Sequence, residues 1–121
     1  MKRILQAGLR EGKKSDVKRG KIGAVLYTNS KRILITAHNA ALYGNKDRTI
    51  HAESRLILRA IKMKIFERFR NERLNVLVTR WRKSDNSARN AMPCYACHEL
   101  LHKFPVDIYF TNINGDITWL P

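Results

Sequence analysis

Acidic residues are scarce in this sequence: ten Asp and Glu stand against 24 Lys and Arg, a formal charge of +14 over 121 residues. A surplus of that size points to a polyanionic partner, nucleic acid first, with a basic surface kept for solubility as the plainer alternative. Cysteine is nearly missing. The two present, Cys94 and Cys97, cannot make the disulfide framework of a small secreted domain. No apolar run is long enough to span a bilayer and no stretch resembles a signal peptide, so the expectation is a soluble, cytoplasmic protein with no membrane partner. A domain exported by dedicated machinery would look the same. Repeats and low-complexity tracts are lacking too, and the length suits one core, so residues 1–121 are expected to form a single domain.

What is present reads as alternating helices and strands. Ile4, Leu5 and Leu9 give a short amphipathic helix, and Glu11 to Lys21 a basic loop punctuated by Gly12, Ser15 and Gly20. Ile22–Tyr27 and Arg32–Ala37 are β-rich runs joined by a hairpin at 28–31. His38 to Arg48 is irregular. A helix with an apolar stripe from Ile50 to Phe66, capped by Thr49, runs to about Arg70. Leu74–Thr79 is a third strand, and Arg80 to Met92 a long polar loop. Pro93 starts another helix, Pro105 stops it, and Val106–Phe110 and Asp116–Leu120 flank the turn signal Asn114-Gly115. The expected fold is α/β, three layers α-β-α, with a five-stranded mixed sheet, helices on both faces, and the fourth and fifth strands as an antiparallel hairpin.

The chemistry concentrates in Pro93-Cys94-Tyr95-Ala96-Cys97. In the first turn of a helix, Cys94 and Cys97 share a face, and the positive helix end favours their thiolates. Two thiolates do not complete a zinc site. The best placed third donor is His51, in His51-Ala52-Glu53. The segment between Glu53 and Pro93 holds the rest of a helix, a strand and a loop, so a crossover can return the second helix start beside the first. Three protein ligands leave the fourth tetrahedral position for water, whose pKa zinc lowers from 15.7 to about 7.

Histidine, a carboxylate two residues on, then Pro-Cys-x-x-Cys is a pattern that resembles the cytidine deaminase-like family of zinc-dependent nucleobase deaminases, and the resemblance runs from about Ile22 to Trp119. It implies Zn²⁺ held by His51, Cys94 and Cys97, and Glu53 as the proton carrier in hydrolysis of cytosine to uracil and ammonia. It further implies that Asn39 bonds the sugar and that the backbone N–H of Ala52 meets the base carbonyl. Hairpin-joined last strands are similar to the cytidine deaminase branch rather than the tRNA adenosine deaminase branch. Many members carry Ser or Glu before Pro-Cys, where this chain has Met92.

Rival readings of the same residues fit less well. Cys94 to His98 also spells a c-type haem attachment, which needs an exported helical cytochrome, and a thioredoxin-like pair would leave His51 and Glu53 unexplained. Cys94, Cys97, His98 and His102 cannot surround one ion from a single helix. His38, His98 and His102 are read as ordinary histidines.

Substrate is a separate question. A polynucleotide, single-stranded DNA or RNA, would be tracked by Lys13, Lys14, Lys18, Arg19 and Lys21 in one loop and Arg82, Lys83 and Arg89 in another. Lys46 and Arg48 stand beside the motif, and Trp81 could stack on a base. The alternatives are free cytidine or deoxycytidylate, tRNA adenosine, and a non-catalytic zinc-stabilised nucleic-acid-binding module. A homo-oligomer stays open, since small cytidine deaminases close their sites with neighbouring subunits.

Overall fold

β1 (Lys21–Tyr27) explains the layering, because its inner residues are buried on both sides. Successive strand side chains point to opposite faces. Ala24 and Leu26 pack in the larger core with Val76, Val78, Ile108 and Phe110, whereas Val25 and Tyr27 pack with Leu77 and Ile4. The computed structural model describes residues 1–17, 20–42 and 45–121, of which 42 and 45–48 by backbone course alone.

α1 (Lys2–Lys13) supplies Ile4 to the smaller core; α2 (Ala52–Lys62) and α4 (Tyr95–His102) supply Leu56, Ile57 and Leu101 to the larger one. Full burial of each such aliphatic side chain contributes about 2 kcal/mol. The remaining elements are β2 (Ile33–His38), β3 (Ala40–Leu42), β4 (Asn45–Ile50), α3 (Ile65–Arg68), β5 (Leu74–Arg82), β6 (Ser87–Arg89), β7 (Val106–Thr111) and β8 (Ile117–Leu120). The main sheet runs β2-β1-β5-β7-β8. Among the described strands only the β5–β7 contact is parallel, bridged by α4, and β7–β8 is antiparallel as the Asn114-Gly115 signal required.

The sheet has six strands, not five, because β6 folds back on β5. The loop expected from Arg80 to Met92 is therefore largely a hairpin, turned at Asn86 with φ 54° and stapled by Asp85, which accepts from Arg82, Arg89 and Ser87. The irregular segment after β2 forms a separate two-stranded sheet, β3 with β4. Thr49 belongs to β4, and the cap of α2 is His51. The long helix expected to Arg70 breaks at Lys64, whose φ of 55° is left-handed, and resumes as the single turn α3. α1 runs on to Lys13 because Glu11 is buried and accepts from Thr36 Oγ1 at 2.6 Å and lies 2.5 Å from His38 Nδ1.

Gly23 marks the tightest approach of α1 to the sheet. A Cβ there would stand 2.0 Å from the Gly8 carbonyl oxygen, a contact no side chain can make. At the sheet's edge, α2 closes the open carbonyls of β2: Arg55 donates to His38 O at 2.7 Å and Arg59 to Thr36 O at 2.6 Å. The basic stripe of α2 thereby fixes the helix whose first residues carry the site.

Candidate metal centre and substrate cavity

His51 and Cys94 occupy equivalent places, each the extended N-cap residue of a helix, at φ −68° and −66°. Pro93 precedes the cap instead of opening the helix, so Cys94 stands at the cap and Cys97 within the first turn. The fold sets these two helix starts side by side. His51 Nδ1 lies 3.0 Å from Cys97 Sγ and 3.6 Å from Cys94 Sγ, and all three donor atoms fall within 4.8 Å of one another. Tetrahedral zinc with bonds of ~2.0–2.3 Å separates its ligands by about 3.5 Å, so one ion accommodates this set with small adjustments. The donor chemistry, one imidazole nitrogen and two thiols, is that of a zinc site with one position open. Cys94 and His51 are exposed and Cys97 is buried.

Electrostatics also call for a cation here. Burial pushes the Cys97 thiol up, and Glu53 and Cys94 push it further in the same direction. Without a metal, desolvation beside a carboxylate opposes the preference for thiolate that the helix end supplies, and a bound cation restores it. Glu53 is 5 % exposed, and burial raises its carboxyl above the ordinary value against the opposing pull of its own backbone N–H, His51 and Cys97. A divalent ion at the three donors neutralises this crowd.

A cavity of about 230 Å³ opens onto the cluster. His51, Ala52, Glu53 and Cys94 line one side, and Ile22, Val78 and Met92 give it apolar walls. Asn39 also lines it, 7 % exposed, with Oδ1 accepting from Ile22 N at 3.0 Å and Nδ2 donating to Gly20 O at 2.7 Å. These bonds fix the amide's orientation.

Trp81 does not line this cavity. With β5 extended to Arg82, strand parity puts Thr79 and Trp81 on the face that meets α1. Thr79 accordingly meets Gly8, and Lys13 Nζ sits 5.2 Å from the centre of the Trp81 ring, whose Nε1–H donates to Asn86 at 2.6 Å. The same parity turns Arg80 to the cavity side with Val78. Arg80 thus continues the strand rather than opening the basic loop expected from Arg80 to Arg89, and the alternation Val76, Val78, Arg80 carried the signal.

Beyond Arg80 lies a second hollow of about 430 Å³, lined by Lys21, Arg82, Lys83 and Arg89 along with Trp81. Of the cations expected to bind nucleic acid, Arg82 and Arg89 are bonded to Asp85, Lys21 donates to Ser15 O, and Lys14 pairs with Glu11 at 3.4 Å. Lys18 and Arg19 lie outside the described residues, as do the side chains of Lys46 and Arg48. Among the described residues no helix is long and apolar enough to cross a membrane.

The fold is similar to that of solved deaminases. A cytidine deaminase from Burkholderia pseudomallei superposes with a TM-score of 0.69 at 17% identity, covering 98% of this chain and 90% of that one. A dCMP deaminase from the cyanophage S-TIM5 gives 0.67 at 19% identity, over 93% and 82%. A cytidine deaminase from Mycobacterium leprae gives 0.63 at 18%, over 98% and 91%. Compared by sequence alone, no curated protein matches. Residues 1–111 match the family model described as the cytidine and deoxycytidylate deaminase zinc-binding region, which covers His51, Glu53, Cys94 and Cys97 together, and this chain belongs to that family of zinc-dependent deaminases.

Proposed function

We propose that this protein hydrolyses cytosine to uracil and ammonia on a substrate that carries phosphate beyond the reacting nucleotide, a single-stranded polynucleotide. His51, Cys94 and Cys97 would hold the zinc. Bound there, zinc supplies a Lewis acid that makes water a nucleophile at neutral pH. Glu53 would be the proton carrier: buried beside the ligands, it takes one proton from water and gives it to N3 of the base, then takes the second from the hydroxyl left on C4 and gives it to the exocyclic amine, which departs as ammonia. The water oxygen ends on C4, and the exocyclic nitrogen leaves. The apolar walls at Ile22 and Val78 suit a base plane, and Ala52 and Asn39 line the same cavity, where the Ala52 N–H would meet the base carbonyl and the fixed Asn39 amide the sugar.

One observation carries the polynucleotide reading. Arg80 lines both the zinc-side cavity and the basic hollow, and among the described residues no hydrogen bond or ion pair engages its guanidinium. A strand whose cytosine enters the cavity would lay its next phosphate on Arg80 and its flanking nucleotides along Lys21, Lys83 and Trp81. Free deoxycytidylate is the second reading, favoured by the family's description and by the likeness to the cyanophage dCMP deaminase. It would use Arg80 for its single phosphate and leave the hollow idle.

The test is to incubate the zinc-loaded protein with cytidine, deoxycytidylate, and DNA and RNA oligonucleotides containing one cytosine, and to follow loss of ammonia by mass. The expected order is oligonucleotide, deoxycytidylate, cytidine, with oligonucleotide turnover falling steeply as salt rises. Fast deoxycytidylate turnover with untouched oligonucleotides would replace the first reading by the second.

A further inference from the structure

Two of the four histidines take no part in the site above. His98 and His102 stand one turn apart on α4, and their Nε2 atoms converge to 2.7 Å. The rings meet edge-on, with centroids 4.4 Å apart and planes at 63°. A third donor lies beside the pair: the Pro121 carbonyl oxygen is 3.0 Å from His98 Nε2. We propose that His98, His102 and the Pro121 carbonyl form a second divalent transition-metal site, separate from the cluster of His51, Cys94 and Cys97.

The geometry is that of adjacent ligands around one ion. Metal–nitrogen bonds of ~2.0–2.1 Å at right angles set neighbouring donors about 3 Å apart, close to both separations seen here. Imidazole nitrogen with a carbonyl oxygen suits Cu²⁺, Ni²⁺ and Zn²⁺, copper most tightly by the usual order of affinities. Only two side chains contribute and both rings reach solvent, so water fills the remaining positions and the site is weaker than one with two thiolates. Neither ring lines the cavity that holds Glu53. Occupancy would tie Pro121 to α4, which among the described residues it meets through one hydrogen bond, to His98. The other two histidines do not compete, since His51 belongs to the first cluster and His38 lies 2.5 Å from buried Glu11.

The test uses the untagged chain carrying one equivalent of zinc, titrated with further Zn²⁺ by calorimetry and passed over an immobilised Ni²⁺ column. A second, weaker equivalent and retention on the column are expected. His102→Ala and His102→Gln, at an exposed position, should each lose both while keeping the first equivalent. Glutamine preserves a hydrogen-bonding group but not the imidazole, so undiminished retention of His102→Gln on the column would show that His102 is no ligand, and the proposal fails. It fails equally if the unaltered chain takes up one equivalent only, or if either variant loses the first.

Discussion

His51 Nδ1 stands 3.0 Å from Cys97 Sγ although the two residues are 46 positions apart, one the cap of α2 and the other in the first turn of α4. The sheet brings the two helix starts together, so the metal that binds them also closes the fold between them. Cys97→Ser is expected to abolish binding at this cluster and to lower stability. Zinc at a thousand times its dissociation constant stabilises by about 4 kcal/mol, and a strong chelator should remove the same increment from the unaltered protein. Metal analysis and thermal unfolding with and without chelator check this.

Gly23→Ala is expected to destabilise by at least about 3 kcal/mol, because the obstacle at 2.0 Å is the Gly8 carbonyl and neither backbone can move without separating α1 from the sheet. Denaturant unfolding measures it. A loss under about 1 kcal/mol would mean that α1 sits further from β1 than described.

Lys31 closes the β1–β2 hairpin with φ 70°, the place Gly115 fills at φ 82° in the β7–β8 hairpin. A left-handed lysine costs roughly 1–2 kcal/mol, partly offset by the greater freedom glycine loses on folding. Lys31→Gly should therefore stabilise by about 0.5 kcal/mol, read as a higher denaturation midpoint; an unchanged or lower midpoint would count against the strain.

Glu11 gives a pH signature. Burial raises its carboxyl pKa, but hydrogen bonds from Thr36 and His38 and the charge of Lys14 more than offset this, so it lies below its ordinary value of 4.5. A depressed folded pKa contributes stability that is complete above the unfolded value and is lost as pH falls through the folded one. Glu11→Gln should cost about 2 kcal/mol at neutral pH, and the difference should shrink below about pH 4. A difference that stays constant into acid would remove the charge from the account.

The order of the main helices and strands was legible because β1, β2, β5, β7 and β8 are dense in β-branched and apolar residues and each is bounded by a turn signal. So was the cluster, since His51, Cys94 and Cys97 have few structural reasons to share a pattern. What was not legible depended on contacts from afar. α1 continues through Gly12 because Glu11 finds Thr36 and His38 across the sheet, and β5 continues past Thr79 because β6 pairs with it. The second misreading left Arg80 and Trp81 in one loop, where a strand's alternation puts them on opposite faces.

The most direct test is Glu53→Ala assayed beside the unaltered protein for metal content and for ammonia release from whichever cytosine substrate the panel shows to react. The variant should keep its zinc and its unfolding midpoint while turnover drops by at least about a hundredfold, as loss of a positioned proton carrier requires. Turnover comparable to that of the unaltered protein, with zinc in place, would contradict the assignment of Glu53 and the hydrolysis built upon it.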